Sequence, residues 1–364
     1  MKKVLYLQLF LVLLFLSCAE NGTQPQKSND IPPDPANVTV PTPTMNNVKP
    51  AVSTPGVSSG VITTNLTGMI GSDGNPIELA YNSENPSSST IFVTEDGTVK
   101  GLKLVKVSST NTQQADIVFT VDNSGSMGQE ADSVAAGIIE FAKFLVSNGL
   151  NVKFGIVGYS GSINGAINFT DKDKLEAYLT NRDGYELSGT RRTRGFAGPD
   201  SADIELAAYE VNYTVTSSEN GVIGVLFADS NFSWRAGAQR VFINFTDEPT
   251  QSNGEKWNTA EMCSAISGSA TVHTVFSRDS SYYGSSWSIY RERPWAMSEC
   301  TGGTIMFLDE QASSLNLTTL PLSTALVNSY TLSYNGRVNN STHTIIVTIK
   351  ANNGDGKTEI EWVY

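Results

Sequence analysis

The chain has 364 residues, 39% of them hydrophobic, a length beyond the usual single domain and an apolar content sufficient for real cores. Acidic residues outnumber basic ones 36 to 24, for a net charge of −12. That balance excludes a nucleic-acid partner, since the surface repels phosphates, and requires any anionic ligand to be captured locally rather than steered by the whole surface.

Lys2 and Lys3 precede residues 4–16, an apolar run interrupted only by Gln8, which is the layout of an export signal. The run is short for a membrane-spanning helix of ~20 residues. Its end, Leu16-Ser17-Cys18, resembles the lipobox of bacterial lipoproteins, with Phe15 as a departure from the pattern. The resemblance implies cleavage after residue 17, lipidation of Cys18 and anchoring in the bacterial cell envelope, at the outer membrane or cell surface. Residues 19–60 are rich in Pro, Thr, Asn and Ser without a period, which predicts a disordered, extended tether. Strands are predicted at 61–66, 90–94 and 99–107, and again at 330–334, 342–350 and 359–364. The two blocks, 61–112 and 329–364, together supply about six strands, the size of one β-sandwich interrupted by a central domain. Two separate small β units are the alternative.

The central domain is read over residues 113–328. Asp116-Ile-Val-Phe-Thr-Val-Asp122 is the apolar, β-branched run of a buried parallel strand, closed by an acid. Asp122, Ser124 and Ser126 then present oxygens at alternate positions. Residues 129–148 follow with helical spacing of Val134, Ile138, Phe141, Ala142 and Leu145. Strand, oxygen-rich turn and helix place those oxygens at the carboxyl end of a sheet, where open α/β folds hold ligands. Further strands are predicted at 152–159, 166–169, 240–246, 270–276 and 304–308. Helices are predicted at 172–180, 201–214, 259–267, 295–300 and 313–328, the last kinked or split by Pro321. The fold class is α/β, a doubly wound, mostly parallel sheet flanked by sandwich-like all-β segments.

Asp122-x-Ser124-x-Ser126 before Met127-Gly128 resembles the metal-ion-dependent adhesion site of von Willebrand factor A domains, in the version found in integrin β subunits. The donor chemistry agrees independently. Two neutral hydroxyls and one carboxylate suit magnesium, manganese or calcium, and few charged ligands leave such an ion electrophilic. Phe245-Thr246-Asp247-Glu248 resembles the family's Thr-Asp motif, which implies that Asp247 serves the ion, mainly through water. Gly198-Pro199-Asp200-Ser201-Ala202-Asp203 resembles the integrin-like third loop, with Asp203 where the family has glutamate. The resemblance thus implies Asp203 as a metal ligand and Asp200 as ligand to an adjacent calcium; Thr190 and Thr193 are the alternatives for a threonine ligand. The family's adjacent aspartate pair corresponds to Gln129-Glu130, making Glu130 a candidate for that second ion. Plainer roles stand beside these: a serine cap, an N-cap at Asp247, and an acidic first turn at Asp203.

Cys263 and Cys300, the remaining cysteines of an exported chain, are expected to form a disulfide between two helices; free thiols are the alternative. Arg191, Arg192 and Arg194 read either as a solvated loop or as groups orienting an acidic partner. Neither His273 nor His343 falls near the serines for a nucleophilic triad, and Gly158-Tyr159-Ser160-Gly161-Ser162 misses the Gly-x-Ser-x-Gly elbow. The expectation is a non-enzymatic, surface-anchored protein that uses magnesium or manganese to capture an Asp or Glu of a protein partner. An envelope assembly scaffold with a structural metal is the alternative, and a metal-dependent hydrolase is the least favoured reading.

Overall fold

The computed structural model describes residues 30–106, 114–182, 195, 196, 198, 200–215, 219–252, 254, 256–319, 325, 326 and 328–364. Cys18 and its export signal, Thr190, Thr193, Pro321 and the arginines 191, 192 and 194 lie outside the described residues. The chain first forms β1 (Gly56–Ser58), β2 (Val61–Leu66), β3 (Ile91–Glu95), β4 (Thr98–Val99) and β5 (Lys103–Lys106). It returns to them at its end with β12 (Tyr330–Asn335), β13 (Thr342–Lys350) and β14 (Asp355–Val363). These strands make two four-stranded sheets, ordered β1-β2-β12-β5 and β14-β13-β3-β4. Each sheet mixes strands from both ends of the chain: Tyr330 pairs with Leu66, and Ile345 with Glu95. Strand alternation turns Ile62, Leu66, Leu332 and Tyr334 inward, and Ile91, Val93, Ile345 and Val347 join them in one apolar core.

The disordered tether expected up to residue 60 fails from Ile31 onward. Ile31–Tyr364 make one compact unit, and residues 31–55 lie along the sandwich. The amides of Thr44, Met45 and Asn46 donate to the Asp355 carboxylate at 2.9, 2.8 and 2.7 Å, and Asp34 pairs with Lys100 at 2.7 Å. Val48 and Val52 enter the apolar core. A segment with no period of its own orders here because distant parts of the chain supply its donors, acceptors and apolar groove. Composition does not report that.

Between the β blocks lie β6 (Gln114–Asp122), β7 (Asn151–Tyr159), β8 (Ile163–Thr170), β9 (Gln239–Thr246), β10 (Ala270–Phe276) and β11 (Ile305–Phe307). They form a six-stranded sheet ordered β11-β10-β9-β6-β7-β8, parallel except for the edge strand β8. Helices α1 (Ala131–Ser147) and α2 (Lys172–Thr180) cover one face, over Phe119, Phe154 and Phe245. The opposite face, with Val118, Val157 and Phe242, carries α3 (Ser201–Glu210), α4 (Gly221–Asn231), α5 (Thr259–Ile266) and α6 (Ala296–Thr301). This is the doubly wound, mostly parallel sheet read from the sequence. Cys263 of α5 and Cys300 of α6 are disulfide-bonded, their Cα atoms 6.0 Å apart. No helix among the described residues is long and apolar enough to cross a membrane.

The strand expected over 99–107 is split between β4 and β5, which belong to different sheets, and α3 ends at Glu210 rather than at 214; two further elements of the central domain differ more. The unpredicted α4 is buried on every side from Gly221 to Ala228. It lies so close to the sheet that a Cβ on Gly224 would stand 3.1 Å from Tyr159. The helix expected over 313–328 does not begin at Ser313. Asp309 Oδ1 accepts the amides of Gln311 and Ser313, and Oδ2 accepts the Ser313 hydroxyl, so this stretch is held in turns before a short 3-10 turn at Leu317–Thr319.

Candidate metal centre

β6 leads through α1 to β7 on one side, while β9 lies on its other side, so the connections diverge at the carboxyl ends of β6 and β9. That is the switch point where an open α/β sheet leaves a crevice. Val121 is level with Phe245, which brings the residues that follow each strand together. Asp122 Oδ1 accepts from Ser124 N at 2.9 Å, and its Oδ2 from Thr246 Oγ1 at 2.8 Å. Ser124 Oγ and Ser126 Oγ are 2.9 Å apart, and Ser126 Oγ donates to Asp247 Oδ1 at 2.9 Å. Below them, Thr120 Oγ1 and Tyr159 OH both donate to Asn244 Oδ1 at 2.9 Å, a buried polar floor tying β6, β7 and β9 together.

The crevice is rich in buried negative charge. Asp122, Glu130 and Asp247 are 0%, 1% and 1% exposed. Among the described residues Asp247 has one cation, Arg278, whose Nη2 lies 2.8 Å from Oδ2 while its Nη1 pairs with Glu310 at 2.7 Å. Among the described residues no basic side chain pairs with Asp122 or Glu130. Burial, and then the charge of Asp247, push the Asp122 carboxyl well above the usual range and Glu130 up to about 7. The buried Ser277 hydroxyl beside Glu130 makes no hydrogen bond of standard geometry among the described residues.

A divalent cation fits this donor set. Among the described residues the only guanidinium paired with any of these three buried acids is Arg278, on Asp247, and it also serves Glu310, a deficit that an ion would relieve. The 2.9 Å steps from Ser124 to Ser126 to Asp247 are hydrogen-bond distances. They also equal the ~2.9–3.0 Å edge of an octahedron whose oxygens sit ~2.0–2.1 Å from a magnesium-sized ion. No three His, Cys, Asp or Glu side chains cluster as ligands among the described residues, so any such site depends on the hydroxyls. Ser126 and Gly125 are exposed while Asp122 is not, so Ser126 is the part of this group that meets solvent.

The structure brings Asp122, Ser124, Ser126 and Asp247 together, with Glu130 close behind. It does not bring Asp200 and Asp203. Asp200 Oδ2 accepts from Asn168 N at 3.4 Å, on the edge strand β8. The neighbouring Ile167 pairs with Ile156, three residues before the end of β7, or roughly 10 Å below the crevice. Asp203 is exposed one turn into α3, which packs on that strand. Both aspartates stand at the acidic start of α3, and among the described residues no hydrogen bond or ion pair links either of them to Asp122, Glu130 or Asp247. The third loop still reaches the site, since Phe196 N donates to Asn123 Oδ1 at 3.4 Å.

Sequence reading missed Arg278, Tyr283 and Glu310. A signal existed: Phe276 is level with Thr246, so Ser277 and Arg278 leave the sheet beside Asp247 just as Asp247 does beside Asp122. Tyr283 OH donates to Asp247 O at 3.1 Å. Both histidines are engaged elsewhere, His273 Nδ1 accepting from Thr304 N and His343 pairing with Asp96, so the crevice serines have no imidazole base.

No protein-family model and no curated protein matches the chain. Among solved structures it is similar to proximal thread matrix protein 1 of the mussel byssus, determined with zinc in its MIDAS motif. That match has 13% identity, a TM-score of 0.39, and covers 65% of this chain and 50% of the other. The pilus adhesin SpaC of Lactobacillus rhamnosus GG, in an open conformation, matches at 13% identity and TM-score 0.34, over 88% and 55%. VWA2, the ArnB paralogue of Sulfolobus acidocaldarius, matches at 10% and 0.31, over 87% and 74%. The chain spans about half the length of the first two. Likeness at this level says nothing about what the crevice holds.

Proposed function

We propose that this chain is a surface-anchored binding protein whose crevice holds magnesium or manganese and uses it to capture an acidic residue of a protein partner. The observation that carries the reading is the pairing of buried, cation-poor Asp122 and Asp247 with the Ser124 and Ser126 hydroxyls at the sheet's switch point. Ser124 and Ser126 would hold the ion directly, with Asp122 and Asp247 supporting it mainly through water. The bound ion supplies an electrophile for a partner's Asp or Glu carboxylate; the chain's residues position it and keep its first shell short of charge. Calcium at an adjacent site would rest on Glu130 without Asp200. Anchoring belongs to the same reading through lipidation of Cys18 in a bacterial envelope, and radiolabelled palmitate incorporation lost in Cys18→Ala tests it.

The adhesive reading is tested by capturing envelope and extracellular proteins on the immobilised chain with magnesium or with a chelator. A partner retained with magnesium, released by chelation and absent with Asp122→Asn is expected. Partner binding that survives chelation, with only the melting temperature lowered, would instead establish the scaffold with a structural metal.

A further inference from the structure

Beside the crevice lies a surface whose chemistry differs from the rest of this acidic chain. Residues 278–293 carry Arg278, Arg291 and Arg293, three of the ten arginines, together with Tyr282, Tyr283, Trp287, Ile289 and Tyr290, and no lysine. Of the two acids in the segment, Asp279 is turned onto Ser281 and Glu292 accepts the amide and hydroxyl of Thr259. Arg291 and Arg293 consequently have no ion pair among the described residues, and Arg291 Nε is buried without a hydrogen-bond partner. Two guanidinium groups without an ion pair, on a chain with 36 acids, leave positive charge beside the crevice that complements an acidic partner.

The surface is packed onto the core and continuous with the crevice. Arg278, which holds Asp247, stacks on Tyr282 at 4.3 Å, and Tyr283 donates to the Asp247 carbonyl. Arg291 lies 5.4 Å over Tyr283, and Arg293 6.0 Å from Trp287. Trp287 packs on Trp295, which packs on Phe276 of the core. Reciprocal backbone bonds of 2.9 Å between Thr250 and Glu292 fix the far side. Tyr282, Ile289 and Tyr290 nevertheless remain 56%, 66% and 56% exposed. Preordered aromatic side chains with arginine and without lysine are the composition of an interface centre.

We propose that residues 278–293 form the docking rim of the crevice and receive an acidic protein segment that also carries an aromatic side chain. A second carboxylate of that segment lies on Arg291 and Arg293, and its aromatic side chain against Ile289 and Tyr290. The proposal rests on the crevice taking the first carboxylate. It therefore needs a test in which crevice and rim fail separately.

The probes are fluorescent polyglutamate and a random glutamate–tyrosine copolymer of equal length, titrated into the full chain in magnesium and in chelator. In magnesium the copolymer is expected to bind about tenfold more tightly than polyglutamate. Arg291→Gln with Arg293→Gln should weaken both polymers about tenfold, and Tyr290→Ser should erase only the preference for the copolymer. All these positions are partly or fully exposed, so unchanged melting temperatures are the control for folding. If neither polymer binds, or the rim substitutions change neither affinity, the rim is overturned. If the rim substitutions weaken binding but chelation and Asp122→Asn do not, the rim stands and the metal-capture reading falls. Binding lost on chelation but indifferent to the rim substitutions retains the crevice and rejects the rim.

Discussion

The two ends of strand β6 each bury an aspartate, and they treat it differently. At the amino end, Asp116 is fully buried and receives Arg235 twice, from Nε at 2.7 Å and from the backbone amide at 2.8 Å. Burial still raises its pKa, but the Arg235 contacts oppose the shift. At the carboxyl end, Asp122 is equally buried and receives one amide and one hydroxyl, with a second buried acid nearby and, among the described residues, no guanidinium of its own. The fold plainly can compensate an aspartate on this strand. That it does not do so six residues later, among the described residues, is the deficit that the proposed ion would make good.

The largest expected effect sharpens that contrast. Arg235→Met strands a buried charge and should cost about 3–5 kcal/mol in urea unfolding, with or without magnesium. Asp122→Asn replaces a carboxyl that has no ion-pair partner among the described residues and whose protonation burial favours, and should leave the metal-free chain within ~1 kcal/mol of wild type. Equal losses at the two ends would dissolve the comparison. Next in size is the response to metal. At a hundred times its dissociation constant, magnesium or manganese should stabilise the wild-type chain by about 2.7 kcal/mol, and Asp122→Asn by nothing measurable.

A smaller effect concerns pH. Glu130 has a folded value of about 7 against an ordinary 4.5, and Asp122 is raised in the same direction. The folded, metal-free chain therefore holds more protons than the unfolded one between those values. Its stability should fall as pH rises from about 4.5 through about 7, by on the order of 1–3 kcal/mol. Melting curves at pH 5 and pH 8 check this, and Glu130→Gln or added magnesium should flatten the slope. A steeper loss at low pH would reverse the sign and contradict the assignment. The smallest expected effect is at the outer edge of the sheet: Asp200→Ala and Asp203→Ala should change metal affinity by less than about twofold, since neither reaches the crevice.

What was legible in the sequence follows from how burial is written. β6 and β9 are buried on both faces, so their residues form apolar, β-branched runs, and the acid ending each run marked where the chain leaves the core. The grouping of Asp122, Ser124, Ser126 and Asp247 was readable for that reason. α4 was not, because a helix covered all round has no polar face and hence no period. Asp200 and Asp203 sit in a local pattern similar to an integrin-like loop, yet the register of β8 with β7 decides their place, and register is a tertiary fact. Residues 31–55 and the Arg278–Arg293 rim share this difficulty, since each gains its meaning from neighbours far away in sequence.

The central claim is that a divalent cation sits between the ends of β6 and β9. Anomalous diffraction from a crystal of the chain soaked in manganese measures it most directly. The expected result is a single strong peak within coordination distance of Ser124 Oγ and Ser126 Oγ, absent in Asp122→Asn. A crevice without a peak, with Ser126 still donating to Asp247, would contradict it.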